Sequence, residues 1–133
     1  MLIDVYEAPP SIDALYQLLK ERPPVANISH REMPTWEEHK RFVGSHPYEA
    51  WYLIADRDDV VGTVYLTRAD EIGISIFEKY QGLGHARLAI IALMKAHPRE
   101  HYLANIAPGN DPSLSLFKRL GFTHISETYE YHA

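Results

Sequence analysis

The sequence predicts an α/β fold of the α+β kind, a mixed sheet covered by helices, built as one domain over residues 1–133. Three observations predict it. Apolar residues recur at helical spacing in some segments and at strand-like spacing in others. These segments follow one another as strand, two helices, three strands, helix, strand, helix, and then one or two strands. A chain of 133 residues is long enough for one core and too short for two ordinary domains.

Met1 to Tyr6 mixes Leu, Ile, Val and Tyr with polar residues and stops at Pro9-Pro10, which predicts a short strand ended by a proline turn. Ser11 is placed to cap a helix in which Ile12, Leu15, Leu18 and Leu19 share a stripe, and Pro23-Pro24 closes it. Thr35-Trp36-Glu37-Glu38 fits a capping box, with an acidic residue three after the cap, and opens a helix through about Val43. Trp51–Ala55 and Val60–Leu66 read as strands joined by the polar loop Asp56-Arg57-Asp58-Asp59.

Ile72, Ile74 and Ile76 fall on one face of a third strand, with Gly73 and Ser75 on the other, where small residues admit a close neighbour. From Gln81 the chain turns into a helix with Leu83, Ala86, Ile90 and Met94 on one stripe, ended by His97-Pro98. Tyr102–Ile106 reads as a buried strand. Asp111 or Ser113 starts the last helix, Gly121 stops it at Leu120, and Phe122–Tyr131 supplies one or two final strands.

Composition narrows the chemistry. Hydrophobic residues at 46% and charged residues at 23% are those of a folded globular chain. The absence of cysteine removes disulfides, thiolate metal sites and a covalent cysteine intermediate. The eight histidines, with no cysteine to accompany them, are not read as a ligand set, so no metal is expected. A net charge of -5 without a run of Lys and Arg speaks against nucleic acid. The N-terminus has no signal-peptide pattern and no stretch approaches the roughly 18 apolar residues of a membrane span, so a cytoplasmic location without a membrane partner is expected.

The most informative segment is Gln81-Gly82-Leu83-Gly84-His85-Ala86, between an apolar strand and a helix. A helix start presents unpaired N–H groups and the positive end of the macrodipole, so it can hold a pyrophosphate without lysine. Gly82, Gly84 and Ala86 lack the bulk that would keep phosphate oxygens away. The segment also fits a plain strand-to-helix turn. It lacks the Gly-Lys-Ser/Thr ending of a P-loop and the Gly-x-Gly-x-x-Gly of a dinucleotide turn.

This loop resembles the Gln/Arg-x-x-Gly-x-Gly/Ala acetyl-CoA signature of the GNAT superfamily, with Gln81, Gly84 and Ala86 at the matching positions. The stretch from Asn110 through Ser113 and Phe117 to Gly121-Phe122 resembles the family's second signature, an Asn before a helix that ends in Gly-Phe. The resemblance is strongest from Glu71 to Phe122. It implies a mostly antiparallel sheet of six to seven strands, about four helices, and a V-shaped splay between the central strands. It implies acetyl-CoA as co-substrate, with contacts from Ile74, Ser75, Ile76, Gln81, Gly82, Leu83, Gly84, His85, Ala86, Asn110, Ser113 and Phe117. Asn110 and Ser113 read equally as helix caps, and His85 is expected to face solvent beside the phosphates.

By the same resemblance Glu71 is the carboxylate that accepts the amine proton, although a strand-end glutamate is commonly just solvated. Phe117 stands where many members carry a tyrosine that protonates the thiolate. That duty then falls to Ser115, a nearby histidine or water, or the site only binds. The Ser29–His39 stretch is similar to the Pro-Ile-Ser-x-Glu-Glu-His run of enzymes that acetylate amino groups of nucleotide-linked sugars and related amines, which puts His30 and His39 in the acceptor pocket. The implied activity is transfer of acetyl from acetyl-CoA to a primary amine of a small molecule within a ternary complex, by a monomer or homodimer. A catalytically weak acyl-CoA-binding module and a protein N-terminal or side-chain acetyltransferase are the alternatives.

Overall fold

The structure is a computed structural model and describes residues 1–9, 11–21 and 33–133. Strands β1 (Leu2–Asp4), β2 (Ala50–Asp56), β3 (Asp59–Leu66) and β4 (Ile72–Ile76) form one antiparallel sheet in the order β1-β2-β3-β4. The β2–β3 hairpin turns at Arg57, whose φ is 57°, and the register slips by a bulge at Ile54/Ala55. Helices α1 (Ser11–Glu21) and α2 (Trp36–Gly44) cover one face, and α3 (His85–Ala96) and α4 (Asp111–Arg119) cover the other.

Strand alternation feeds both layers. Ala50 and Ile54 of β2 pack toward α3, while Trp51 and Leu53 pack toward α1 and α2. The α3 layer is the drier one. Val61, Val64, Leu66, Ile90 and Leu93 are wholly buried there, each contributing about 1.5–3 kcal/mol by leaving water. No helix among the described residues is long and apolar enough to cross a membrane.

The helix ends follow from local chemistry. Thr35 Oγ1 accepts from Glu38 N at 3.2 Å while Thr35 N donates to Glu38 Oε1 at 2.9 Å, the reciprocal box the sequence predicts. Such a cap is worth about 1 kcal/mol. At the end of α4, Gly121 takes φ 98° and donates to Lys118 O, while Phe122 N donates to Phe117 O at 2.9 Å. The Phe117 and Phe122 rings meet edge to face at 5.0 Å, so an apolar contact closes the reversed turn.

Several expectations are corrected. The first strand ends at Asp4, because its carboxylate accepts from Tyr6 N at 2.9 Å and opens a 3-10 turn over Val5–Glu7. Ser11 is not a cap. It already lies in α1, donates its N–H to Ala8 O at 2.9 Å, and buries a hydroxyl that has no hydrogen-bond partner among the described residues. The Pro23-Pro24 stop lies outside the described residues.

The third helix begins at His85 rather than Gln81, because Gly82 and Gly84 adopt φ of 77° and 88° and cannot continue a right-handed helix. Leu83 therefore leaves the apolar stripe and stands 66% exposed.

The sheet has four strands among the described residues, all antiparallel, in place of six to seven in a mixed arrangement. Tyr102–Ile106 contributes one parallel bridge, Glu71 to Leu103, and no strand. Phe122–Tyr131 forms none either, and Ile125, Tyr129 and Tyr131 stand 74–91% exposed. Strand propensity yields a strand only where a ladder partner is present. The four helices stand as expected.

Candidate active site

The site forms along the open edge of β4. Ile72 N donates to Leu103 O at 2.7 Å on one side of the strand, and Phe77 N donates to Val61 O at 2.9 Å on the other. Strand alternation then turns the backbone groups of Gly73 and Ser75 toward β3 and those of Ile74 and Ile76 toward the open edge. Beyond Leu103 no further bridge joins the next segment to β4 among the described residues, so the edge opens into a gap. Gln81 folds back across its far end, donating Nε2–H to Ile76 O at 3.1 Å.

Two cavities meet at this gap and share Leu18, Ile74, Ser75, Asn110 and Ser113. The larger, about 720 Å³, is bounded by Ile76, Gln81, Gly82, Gly84, His85 and Ala86. An added Cβ at Gly82 or Gly84 would touch no protein atom within 4 Å, so within the protein it is the positive φ of each that calls for glycine. Gly84 caps α3 without a side-chain bond, and the first turn of α3 carries no acidic residue, so its amides keep their positive potential. Arg87 and Arg119 also line this cavity. Neither stands out in the sequence, although Arg87 directly follows the loop motif.

Leu83 lies outside both linings. His85 does not face solvent. Its side chain is 17% exposed, with Nε2 4.0 Å from Asp56 Oδ2 and the ring edge-on to Tyr80. Asn110 Oδ1 accepts from Ser113 N at 3.4 Å, so it caps α4 while its side chain also borders both cavities.

The second cavity, about 460 Å³, lies on the α1/α2 side and is lined by Glu71, His39, Tyr65, Trp51, Asn105 and Phe117, among others. Glu71 sits just before β4, where the Leu103 bridge pins the backbone. One carboxylate oxygen accepts from Thr67 Oγ1 at 3.2 Å and the other accepts from Asn105 Nδ2. Thr67 Oγ1 in turn accepts from Glu71 N at 3.0 Å. Thr67 and Asn105 carry no sequence signal, because neither belongs to a motif. Phe117 is buried, at 3% exposure, as a core residue of α4.

His39 is 3% exposed, with Nε2 3.2 Å from Ile12 O, a contact that a neutral Nε2–H ring makes as donor. Burial pushes its pKa below the ordinary imidazole value, partly offset by the Ile12 carbonyl. The unfolded chain therefore binds this proton more readily than the folded one, and stability is lost as pH falls from about 6.5 through the depressed folded value. Urea midpoints measured at pH 7.5 and pH 5 should show this loss, and H39Q should lose less. An equal loss in both proteins would exclude His39 as the source. His30 lies outside the described residues.

No group of three or more His, Asp or Glu able to hold a metal occurs among the described residues.

Against known proteins, the acetyltransferase (GNAT) family profile matches residues 12–122. Comparison with curated proteins gives no significant match. An N-acetyltransferase from Staphylococcus aureus Mu50 superposes with a TM-score of 0.77 at 16% identity, covering 95% of this chain and 84% of that one. An acetyltransferase from Thermus thermophilus gives 0.72 at 21% identity, over 96% and 88%. A Salmonella typhimurium protein solved with its cofactor acetyl-CoA gives 0.67 at 14% identity, over 92% and 78%. At such identities the superpositions establish the fold, and the profile match over most of the chain establishes the lineage. The chain belongs to the acetyltransferase (GNAT) family.

Proposed function

We propose that this protein transfers acetyl from acetyl-CoA to a primary amine of a small molecule, by direct attack within a ternary complex. One observation carries the reading: a cavity with an unblocked helix N-terminus and two arginines meets, at an open strand edge, a second cavity holding a fixed carboxylate. The residues suit the cofactor. The α3 amides after Gly82 and Gly84, with Arg87 and Arg119, would hold a diphosphate. The open-edge groups of Ile74 and Ile76 would pair with the amides of the pantetheine arm as a strand would. Ser75, Asn110 and Ser113, which line both cavities, would border the arm where they join, with Phe117 on the inner side.

Acetyl-CoA supplies an acyl group activated as a thioester. Glu71 then accepts the proton of the attacking nitrogen, directly or through water. The C–N bond forms as the C–S bond breaks, the electron pair leaves on sulfur, and the released thiolate takes its proton from solvent. Asn105 and Thr67 hold the Glu71 carboxylate in place. His39 belongs to the acceptor wall as a neutral, packed ring.

Isothermal calorimetry with acetyl-CoA and CoA tests the reading, with thiol release in the presence of amines as the second measurement. Saturable heat is expected. G84V should bind at least ~10-fold more weakly, because a β-branched residue at φ 88° must shift the loop at a penalty of about 1–3 kcal/mol. Absence of heat with the native protein would overturn the proposal. A buried phenyl ring at Phe117, which gives no proton, favours a second reading as an acyl-CoA-binding module. Binding without turnover on any amine would support it.

A further inference from the structure

We propose that the acceptor is a primary amine on an apolar, aryl or alkyl body that carries no carboxylate or phosphate. This rests on the acetyltransferase reading of the same site and names its substrate class.

The wall of the acceptor cavity is aromatic and fixed. Tyr48 and Tyr65 stack at 3.8 Å with an interplanar angle of 5°, and Trp51 stands edge-on to them at 4.8 and 6.5 Å. Phe42 closes the group, edge-on to Tyr48 at 5.9 Å. Gly73 is what admits Tyr65, since a Cβ there would overlap its ring. The polar atoms of the wall bond to one another. Trp51 Nε1 donates to Thr63 Oγ1 at 2.9 Å, Thr63 Oγ1 donates to Tyr52 O at 2.7 Å, and Tyr6 OH braces the Tyr48 backbone from both sides. Beside the polar edge at Ser75, Asn105 and Asn110, a ligand meets ring surface held in place before anything binds.

The charged side chains lining this cavity are of one sign. Glu38 and Glu71 line this cavity, and no Lys or Arg does among the described residues. Glu38 has its carboxyl held below the usual carboxylate range by the Thr35 N–H and hydroxyl, so it is ionised at neutral pH. Arg41, on the same helix, acts on Glu38, and other basic side chains nearby are committed elsewhere. Arg68 donates to the carbonyls of His46 and Pro47, and Arg99 pairs with Asp70 and Glu49. Arg87 and Arg119 face the adjoining cavity.

An acceptor bearing a carboxylate or phosphate would lose its hydration here against two carboxylates, with no Lys or Arg lining the cavity among the described residues. An ammonium on an apolar body meets the opposite conditions: ring faces attract it and carboxylates orient it until it gives up its proton. This disfavours the nucleotide-linked amino sugars suggested by the short Ser29–His39 likeness.

A matched pair of amines tests the assignment. Phenethylamine and phenylalanine share the aryl body and the primary amine and differ in the carboxylate. With the full chain and saturating acetyl-CoA, thiol release should give a kcat/KM at least ~100-fold higher for phenethylamine. Octylamine should also turn over. Y65L should raise KM for phenethylamine ~10-fold while acetyl-CoA binding heat is unchanged. Parity between the two amines, or preference for phenylalanine, a nucleotide-linked amino sugar or spermidine, would overturn the acceptor assignment and leave the acetyltransferase reading standing. Acetyl-CoA binding with no turnover of either apolar amine would overturn it as well. Absence of acetyl-CoA binding would instead remove the acetyltransferase reading, and the acceptor assignment with it.

Discussion

E71Q is expected to lower kcat for amine acetylation by ~10²–10⁴, the range a positioned general base supplies, with little change in KM. The substitution preserves shape: the introduced amide oxygen can still accept from Asn105 or Thr67, which now hold the two carboxylate oxygens. What disappears is the proton acceptor. A variant that kept the native kcat, with circular dichroism unchanged, would show that Glu71 only orders the start of β4. N105A offers a graded check. It leaves the carboxylate chemically intact and loosens its orientation, so a smaller fall in kcat is expected.

The second large effect concerns stability. F117A should reduce the unfolding free energy by about 3–5 kcal/mol, the usual result of deleting a buried phenyl ring. Against the roughly 5–15 kcal/mol total of a typical domain, that is a large share. Two losses coincide: truncating Phe117 leaves a cavity in the core on the α3 side, and it strips Phe122 of the edge-to-face contact that closes the reversed turn after α4. Urea denaturation followed by far-ultraviolet dichroism measures it. F117L keeps more volume and should lose roughly half as much. A loss below about 1 kcal/mol in F117A would mean that α4 contributes little to the core. The same ring borders the acceptor cavity, so core packing and the edge of the site are linked at this residue.

Local chemistry is the part most readable from the residues. The Thr35–Glu38 box, the Gly121 stop, the β2–β3 hairpin and the division of Ile72, Ile74 and Ile76 from Gly73 and Ser75 depend on neighbours within a few positions, and each occurs as expected. The glycine loop is also recognisable, yet residue spacing starts its helix too early. Leu83 fits the spacing of the stripe, but the φ of the flanking glycines overrides spacing. Ser11 misleads for a related reason: a serine before an apolar stripe reads as a cap, and only packing shows that it is already inside the helix with its hydroxyl buried.

Residue types overstate the strands after residue 100. Tyr102–Ile106 and Phe122–Tyr131 have the composition of strands, but a strand is defined by a partner, and a partner is a long-range fact. The site shows the same division. Gln81, Gly84, Asn110 and Glu71 are reachable because each sits in or beside a motif. Thr67, Asn105, Arg87 and Arg119 are not, because what matters about them is which cavity they border.

The residues alone suffice for the family signatures, the helix ends at Thr35 and Gly121, and the order of elements through α3, all products of short-range sterics and hydrogen bonding. It takes the folded chain to show that β4 has an open edge, that two cavities meet there, and that Tyr48, Trp51 and Tyr65 form one wall. Those facts depend on residues far apart in the chain being held within a few ångströms, which packing enforces and no local pattern records.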